Sequence, residues 1–211
     1  MARFRGTGLT VTNLQGADLF SVKIPYDDER HCLSFLPDGR LAVSTGAEAD
    51  MGLADIAILN ADTGAVEARH QSQVTTSHDS FAPGVLALDP HGEFLALAGH
   101  YSGLVIFDLA SGANVADRFS PHPLDLAEGH VATHDHHHYA DITFDETGRY
   151  LAAACHPGWV DLWTCDGEVA LREQPFLNPK SDRLIAFEGS DLVYLDTMGD
   201  TARFTLPLEG S

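Results

Sequence analysis

The chain has 211 residues, 44% of them hydrophobic, which suffices to bury a core of ordinary domain size without disulfides or metal. Acidic side chains outnumber basic ones 31 to 12, for a formal charge of -19 and an isoelectric point near 4.7. That surface repels phosphate backbones and anionic lipid head groups, so neither nucleic acid nor a membrane is an expected partner.

The first residues, Met1 to Gly8, hold no apolar stretch of secretory type, and no later run approaches the ~18 apolar residues of a membrane span. Cys32, Cys155 and Cys165 show no metal-type spacing and fit a reducing, cytoplasmic setting. Lys23 and Lys180 are the only lysines, and Asp exceeds Glu. This bias fits a salt-adapted or GC-rich source as well as an acidic face that attracts a basic partner.

Two strand-like runs come first, Leu9 to Leu14 and Leu19 to Ile24, as a partial unit over 8–24. Four repeats follow, near 31–69, 84–118, 140–172 and 184–206. Each opens with a short apolar strand: Leu33-Ser34-Phe35, Leu86-Ala87-Leu88, Ile142-Thr143-Phe144 and Leu184-Ile185-Ala186-Phe187. A two-residue turn carrying Gly is expected next, followed by a returning strand such as Leu41-Ala42-Val43 or Tyr150-Leu151-Ala152. Third strands follow at Asp55 to Leu59, Gly103 to Phe107, Trp159 to Trp163 and, in the last repeat, Ala202 to Leu206. The first three of them end in polar turns at Asp62-Thr63-Gly64, Ser111-Gly112 and Asp166-Gly167, where Gly and Asp tolerate positive φ. Fourth strands leave those turns at Val66, Val115 and Val169. No window has a helical apolar period, and the even spacing of short strands predicts an all-β repeat fold.

These units resemble the WD-repeat family of β-propellers, in which each repeat is one four-stranded blade. The resemblance covers nearly the whole chain, through the apolar triplet with Asp or Thr plus Gly before the second strand. It extends to third strands ending Ile106-Phe107-Asp108-Leu109 or Asp161-Leu162-Trp163-Thr164, where that family commonly has Trp-Asp. No repeat has a literal Trp-Asp pair, which marks a divergent member. Fourteen residues before Gly92 and Gly148 stand His78 and His134, within Ser77-His78-Asp79 and Thr133-His134-Asp135. The resemblance implies for both the structural, hydrogen-bonding role of the family's Gly-His histidine; Pro25 holds that offset in the first repeat. The expected architecture is a small propeller of four to five blades in a single domain, 1–211. Either the N-terminal strands complete the final blade, or the chain is an open arc that a second copy closes as a homodimer.

The densest chemistry lies at 130–138, where His130, His134, His136, His137 and His138 crowd into nine residues. Neutral imidazole is a common metal ligand, so His134, Asp135, His136 and His138 are the candidate site for a divalent transition metal. That site would suit a hydrolase or lyase, or the binding of a small ligand. The bland alternative is a polar insertion in a long loop. Corners of successive blades share one face, which sets Asp27, Asp28 and His31 beside His78, Asp79 and His130 as a partner-binding rim. No Gly-x-Ser-x-Gly elbow, phosphate-cradling glycine loop or His-Glu-x-x-His helix occurs, and no catalytic residue is assigned. The function expected from the sequence is therefore a non-enzymatic scaffold that binds a protein or basic peptide through an acidic, His-rich rim. The alternative is a propeller that holds a metal or small ligand.

Overall fold

The computed structural model describes residues 2–5, 8–23, 32–44, 53–73, 83–99, 104–116, 139–155, 159–173, 183–196, 199 and 201–205. These contain seventeen strands. The first sheet holds β1 (Ala2–Arg5), β2 (Gly8–Thr12) and β3 (Asp18–Lys23). The second holds β4 (Leu33–Phe35), β5 (Leu41–Ser44), β6 (Leu53–Leu59) and β7 (Val66–Gln73). In the third are β8 (Pro83–Leu88), β9 (Phe94–Gly99) and β10 (Leu104–Asp108). The fourth consists of β11 (Tyr139–Phe144), β12 (Tyr150–Cys155), β13 (Trp159–Thr164) and β14 (Val169–Glu173). The fifth is β15 (Arg183–Glu188), β16 (Asp191–Asp196) and β17 (Thr201–Thr205). Every pairing is antiparallel between sequence neighbours, as a blade of consecutive strands requires.

Four apolar clusters join the sheets in chain order. Leu9 and Val11 pack on Leu41, Val43, Ala57 and Leu59, and Ile56 and Ile58 on Leu95, Leu97, Val105 and Phe107. Ala96 and Ile106 meet Ile142, Leu151 and Trp163; Ala152, Val160 and Leu162 meet Ile185, Leu192 and Tyr194. A sheet held between two others buries both faces, so its central strands read as continuous rather than alternating apolar runs. β5 and β6 are buried at nearly every position, whereas the outer strand β7 alternates exposed and half-buried residues. Alanines at 42, 96, 98, 152, 153 and 154 are fully buried, and their short side chains let neighbouring sheets close on these strands. The first strands lie innermost, β8 against β11 and β11 against β15.

The N-terminal strands form a sheet of their own against the second sheet, rather than completing the last one. No strand pairing among the described residues joins the first sheet to the fifth, so the sheets are not closed. The fold is an all-β, WD-repeat-like propeller arc of five antiparallel sheets. Of the four repeats, the last alone has the expected two-residue turn, where Glu188 pairs with Asp191. Elsewhere the pairs Phe35–Leu41, Leu88–Leu95 and Phe144–Leu151 enclose longer turns. Of the fourth strand expected from Val115, the described residues show one bridge, between Phe107 and Asn114, and its continuation at Asp117 and Arg118 lies outside them. No helix of the described residues is long and apolar enough to cross a membrane.

Candidate interaction face

Because antiparallel strands alternate in direction, turns after first strands and turns after third strands emerge at the same end of every sheet. That end is built from side chains that bind their own backbone. Asp89, 3% exposed, accepts through Oδ1 from the amides of Glu93 (2.6 Å) and Phe94 (2.7 Å), and through Oδ2 from that of His91 (3.0 Å). Asp145 repeats the device with the amides of Tyr150 (2.7 Å) and Thr147 (3.2 Å), and with the Thr147 hydroxyl. In the second sheet Leu36 takes this place and is buried; its turn is one residue shorter, closing from the Leu36 amide to the Arg40 carbonyl. The turns after β6 and β10 use Asn60 and Asp108, and the β2–β3 turn uses Asn13, each accepting two amides within five residues. Such Asx geometry stiffens a turn without help from the core.

Neighbouring turns also lock to each other. A Cβ at Gly92 would stand 2.9 Å from the Pro37 ring, and one at Gly112 would overlap His70. Nε2 of His91 lies 3.1 Å from the carbonyl oxygen of Thr147 in the next sheet, and Asn114 Nδ2 donates to the Ser72 hydroxyl at 2.9 Å. Around these fixed turns stand exposed Asp18, Asp62, Glu67, Glu93, Glu146, Asp166 and Glu168. Arg40 at this end is held by Asp38 at 2.7 Å, and their hydrogen bonds keep the Asp38 carboxyl below its usual range. The Thr164 hydroxyl likewise lowers Asp166. The result is a rigid surface with a marked excess of ionised carboxylate.

Toward the axis, Asp141 of β11 joins two sheets. Its Oδ2 accepts from the Ile185 amide of β15 at 2.9 Å and its Oδ1 from Ile142 at 3.0 Å. Burial pushes its carboxyl upward and these two donors oppose that shift. In β6 the Asp55 carboxylate is buried with no hydrogen-bond partner among the described residues, and the half-exposed Arg69 guanidinium stands 3.9 Å away. Burial raises the Cys32 thiol to about 11, and burial with the nearby carboxylates Asp145, Asp89 and Asp166 raises Cys165 to about 12. Neither is a nucleophile at neutral pH. Trp163 is fully buried in the joint between the third and fourth sheets, as core rather than ligand box.

The sequence-derived candidates, His78, His134, Asp135, His136 and His138 together with Asp27, Asp28, His31, Asp79 and His130, lie outside the described residues. Among the described residues no group of three or more His, Cys, Asp or Glu is placed to hold a metal ion. The turn carboxylates Asp89 and Asp145 escaped the sequence reading, although both stand three residues before a turn glycine, a signal that was there to find.

Sheets of consecutive antiparallel strands, stacked in chain order, define a propeller-like, WD-repeat-like fold. No family model and no curated protein matches the chain. Among solved structures it is similar to a chain in the "Crystal Structure of Mitotic Checkpoint Complex", with a TM-score of 0.66 and 14% identity. The match covers 97% of this chain and 58% of that one, so this chain spans somewhat over half the length of its structural neighbour. At that identity the likeness is one of fold.

Proposed function

We propose that this protein is a non-enzymatic interaction scaffold whose acidic, turn-bearing end receives a basic segment of a protein or peptide partner. The observation that carries this reading is the set of exposed carboxylates mounted on turns that their own side chains and the neighbouring sheets hold rigid. Preorganised charge costs little ordering on binding and raises the association rate of a cationic segment. The Asp- and His-bearing connections at Asp27, Asp28, His31, His78, Asp79 and His130 are proposed to add contacts to the same class of partner. The neighbour's presence in a protein complex is compatible with this role.

The test is titration of the full chain with an Arg- and Lys-rich peptide and with its sequence-scrambled and acidic counterparts. Affinity for the basic peptides should fall steeply with salt, and Asp62→Lys with Asp166→Lys should weaken binding by about tenfold. Absence of saturable binding to any basic peptide, or binding indifferent to both charge reversals, would sink the proposal.

A further inference from the structure

The first and fifth sheets each have one neighbouring sheet among the described residues, and their free faces differ in chemistry. On the first, the hydroxyls of Thr10 and Ser21 lie 2.9 Å apart, beside exposed Lys23. Polar groups dominate that face, with Leu19 of β3, 46% exposed, at its rim. On the fifth, Leu184 and Leu195 are cross-strand partners, 63% and 40% exposed, and Ala186 pairs with Val193 on the same face. At the four internal joints, faces of this composition are covered by a neighbouring sheet. At the edge of the patch Arg203 donates to Glu188 at 2.5 Å and to Asp191 at 2.8 Å, so both signs of charge share the face.

We propose that the free face of the fifth sheet is a self-association surface, on which a second copy docks through the same face about a two-fold axis. Two observations select a second copy. The largely polar face of the first sheet is a poor mate for the leucine pair, because head-to-tail stacking would strip water from Lys23 and two hydroxyls. A molecule with a formal charge of -19 also repels its copies over most of its surface. Here a guanidinium lies between two carboxylates, and a two-fold contact can set the Arg203 of one copy against Glu188 or Asp191 of the other.

Two strands of six residues and one of five offer about 280 Å² per partner by standard strand spacings. That is well below the ~800 Å² of a standard stable interface, so the dimer is weak and forms at high concentration. Salt strengthens it, by screening the repulsion between two acidic bodies while leaving the apolar contact intact.

Sedimentation velocity on the full chain, from about 5 µM to about 500 µM and at about 50 mM and 500 mM salt, tests this directly. The weight-average mass should climb from 22.7 kDa toward twice that value, at lower concentration in high salt. Leu184→Asp and Leu195→Asp, both at exposed positions, should raise the midpoint at least about tenfold with unchanged circular dichroism. Arg203→Glu should weaken association, and adding Glu188→Arg should restore it. A monomer at every concentration overturns the proposal, as it would if a different protein covers this face. Dimers untouched by the leucine variants, or assembly that continues past two copies, overturn it equally.

Discussion

Gly112 bears two constraints that can be separated experimentally. Its φ of 74° is costly for any residue with a Cβ, and that Cβ would also collide with the His70 ring across the joint to the second sheet. Gly39 has the first constraint, φ 85°, with nothing within 4 Å of where a Cβ would stand. Gly39→Ala is therefore expected to lose about 1 kcal/mol, and Gly112→Ala about 2–4 kcal/mol because overpacking adds to strain; urea melts of the pair give the difference. His70 makes its own prediction. Burial holds its imidazole below the ordinary 6.5, Arg40 adds repulsion, and Asp108 opposes both. A cation disfavoured in the folded state means that the unfolded chain takes the proton first. The stabilising contribution of His70 is thus whole above pH 6.5 and is lost as pH falls through the depressed folded value. His70→Gln should flatten the melting temperature between neutral and mildly acidic pH relative to the unaltered protein. None of this was legible from the sequence, where His70 is one polar residue in an alternating outer strand and its packing against Gly112 depends on the next sheet.

At the scale of elements, two carboxylates do different jobs. Asp89 holds one turn together, whereas Asp141 ties β11 to β15 across a joint. Asp141→Ala leaves the Ile185 amide without its acceptor at a half-buried position, a loss of about 1–3 kcal/mol; Asp141→Asn keeps a carbonyl in place and should retain most of that. Thermal unfolding of both variants checks the ordering, and hydrogen exchange at Ile185 should rise in the alanine variant alone. The strands themselves were readable, because apolar triplets, glycine turns and third strands recur in order, and β4, β11 and β13 fall where the repeats set them. Turn length was not. Leu36 and Asp89 occupy equivalent places, yet one is buried as an apolar plug and the other as a backbone acceptor, and the loop lengths differ accordingly. Where the fourth strand of the third sheet was expected to begin, Asn114 spends its side chain on the amides of Ile106 and Ala116 and on Ser72.

For the molecule as a whole, each sheet touches its sequence neighbours, so stability is close to a sum of sheets and joints. The first and fifth sheets have one joint apiece among the described residues. Amides of β16 should therefore exchange faster than those of β9 or β12, which have covered faces on both sides; exchange of equal rate across the five sheets would show a single cooperative unit instead. The repeat made this architecture legible in outline, since four similar units of alternating strands admit few other folds. The order of polarity along the arc was not legible, because a face is polar or apolar only once the register of Thr10 with Ser21 and of Leu184 with Leu195 is known.

The serial arrangement of joints also governs how the protein bears mechanical load. A pull applied between Ala2 and Thr205 crosses all four clusters in turn, and every joint carries the same tension. The joint between the first and second sheets rests on the smallest of the four clusters, whereas the joint between the fourth and fifth adds the Asp141 clip to a larger one. Under tension the arc would lengthen in steps, shedding one hairpin sheet at a time from its N-terminal side, in the manner of a zip rather than a clasp.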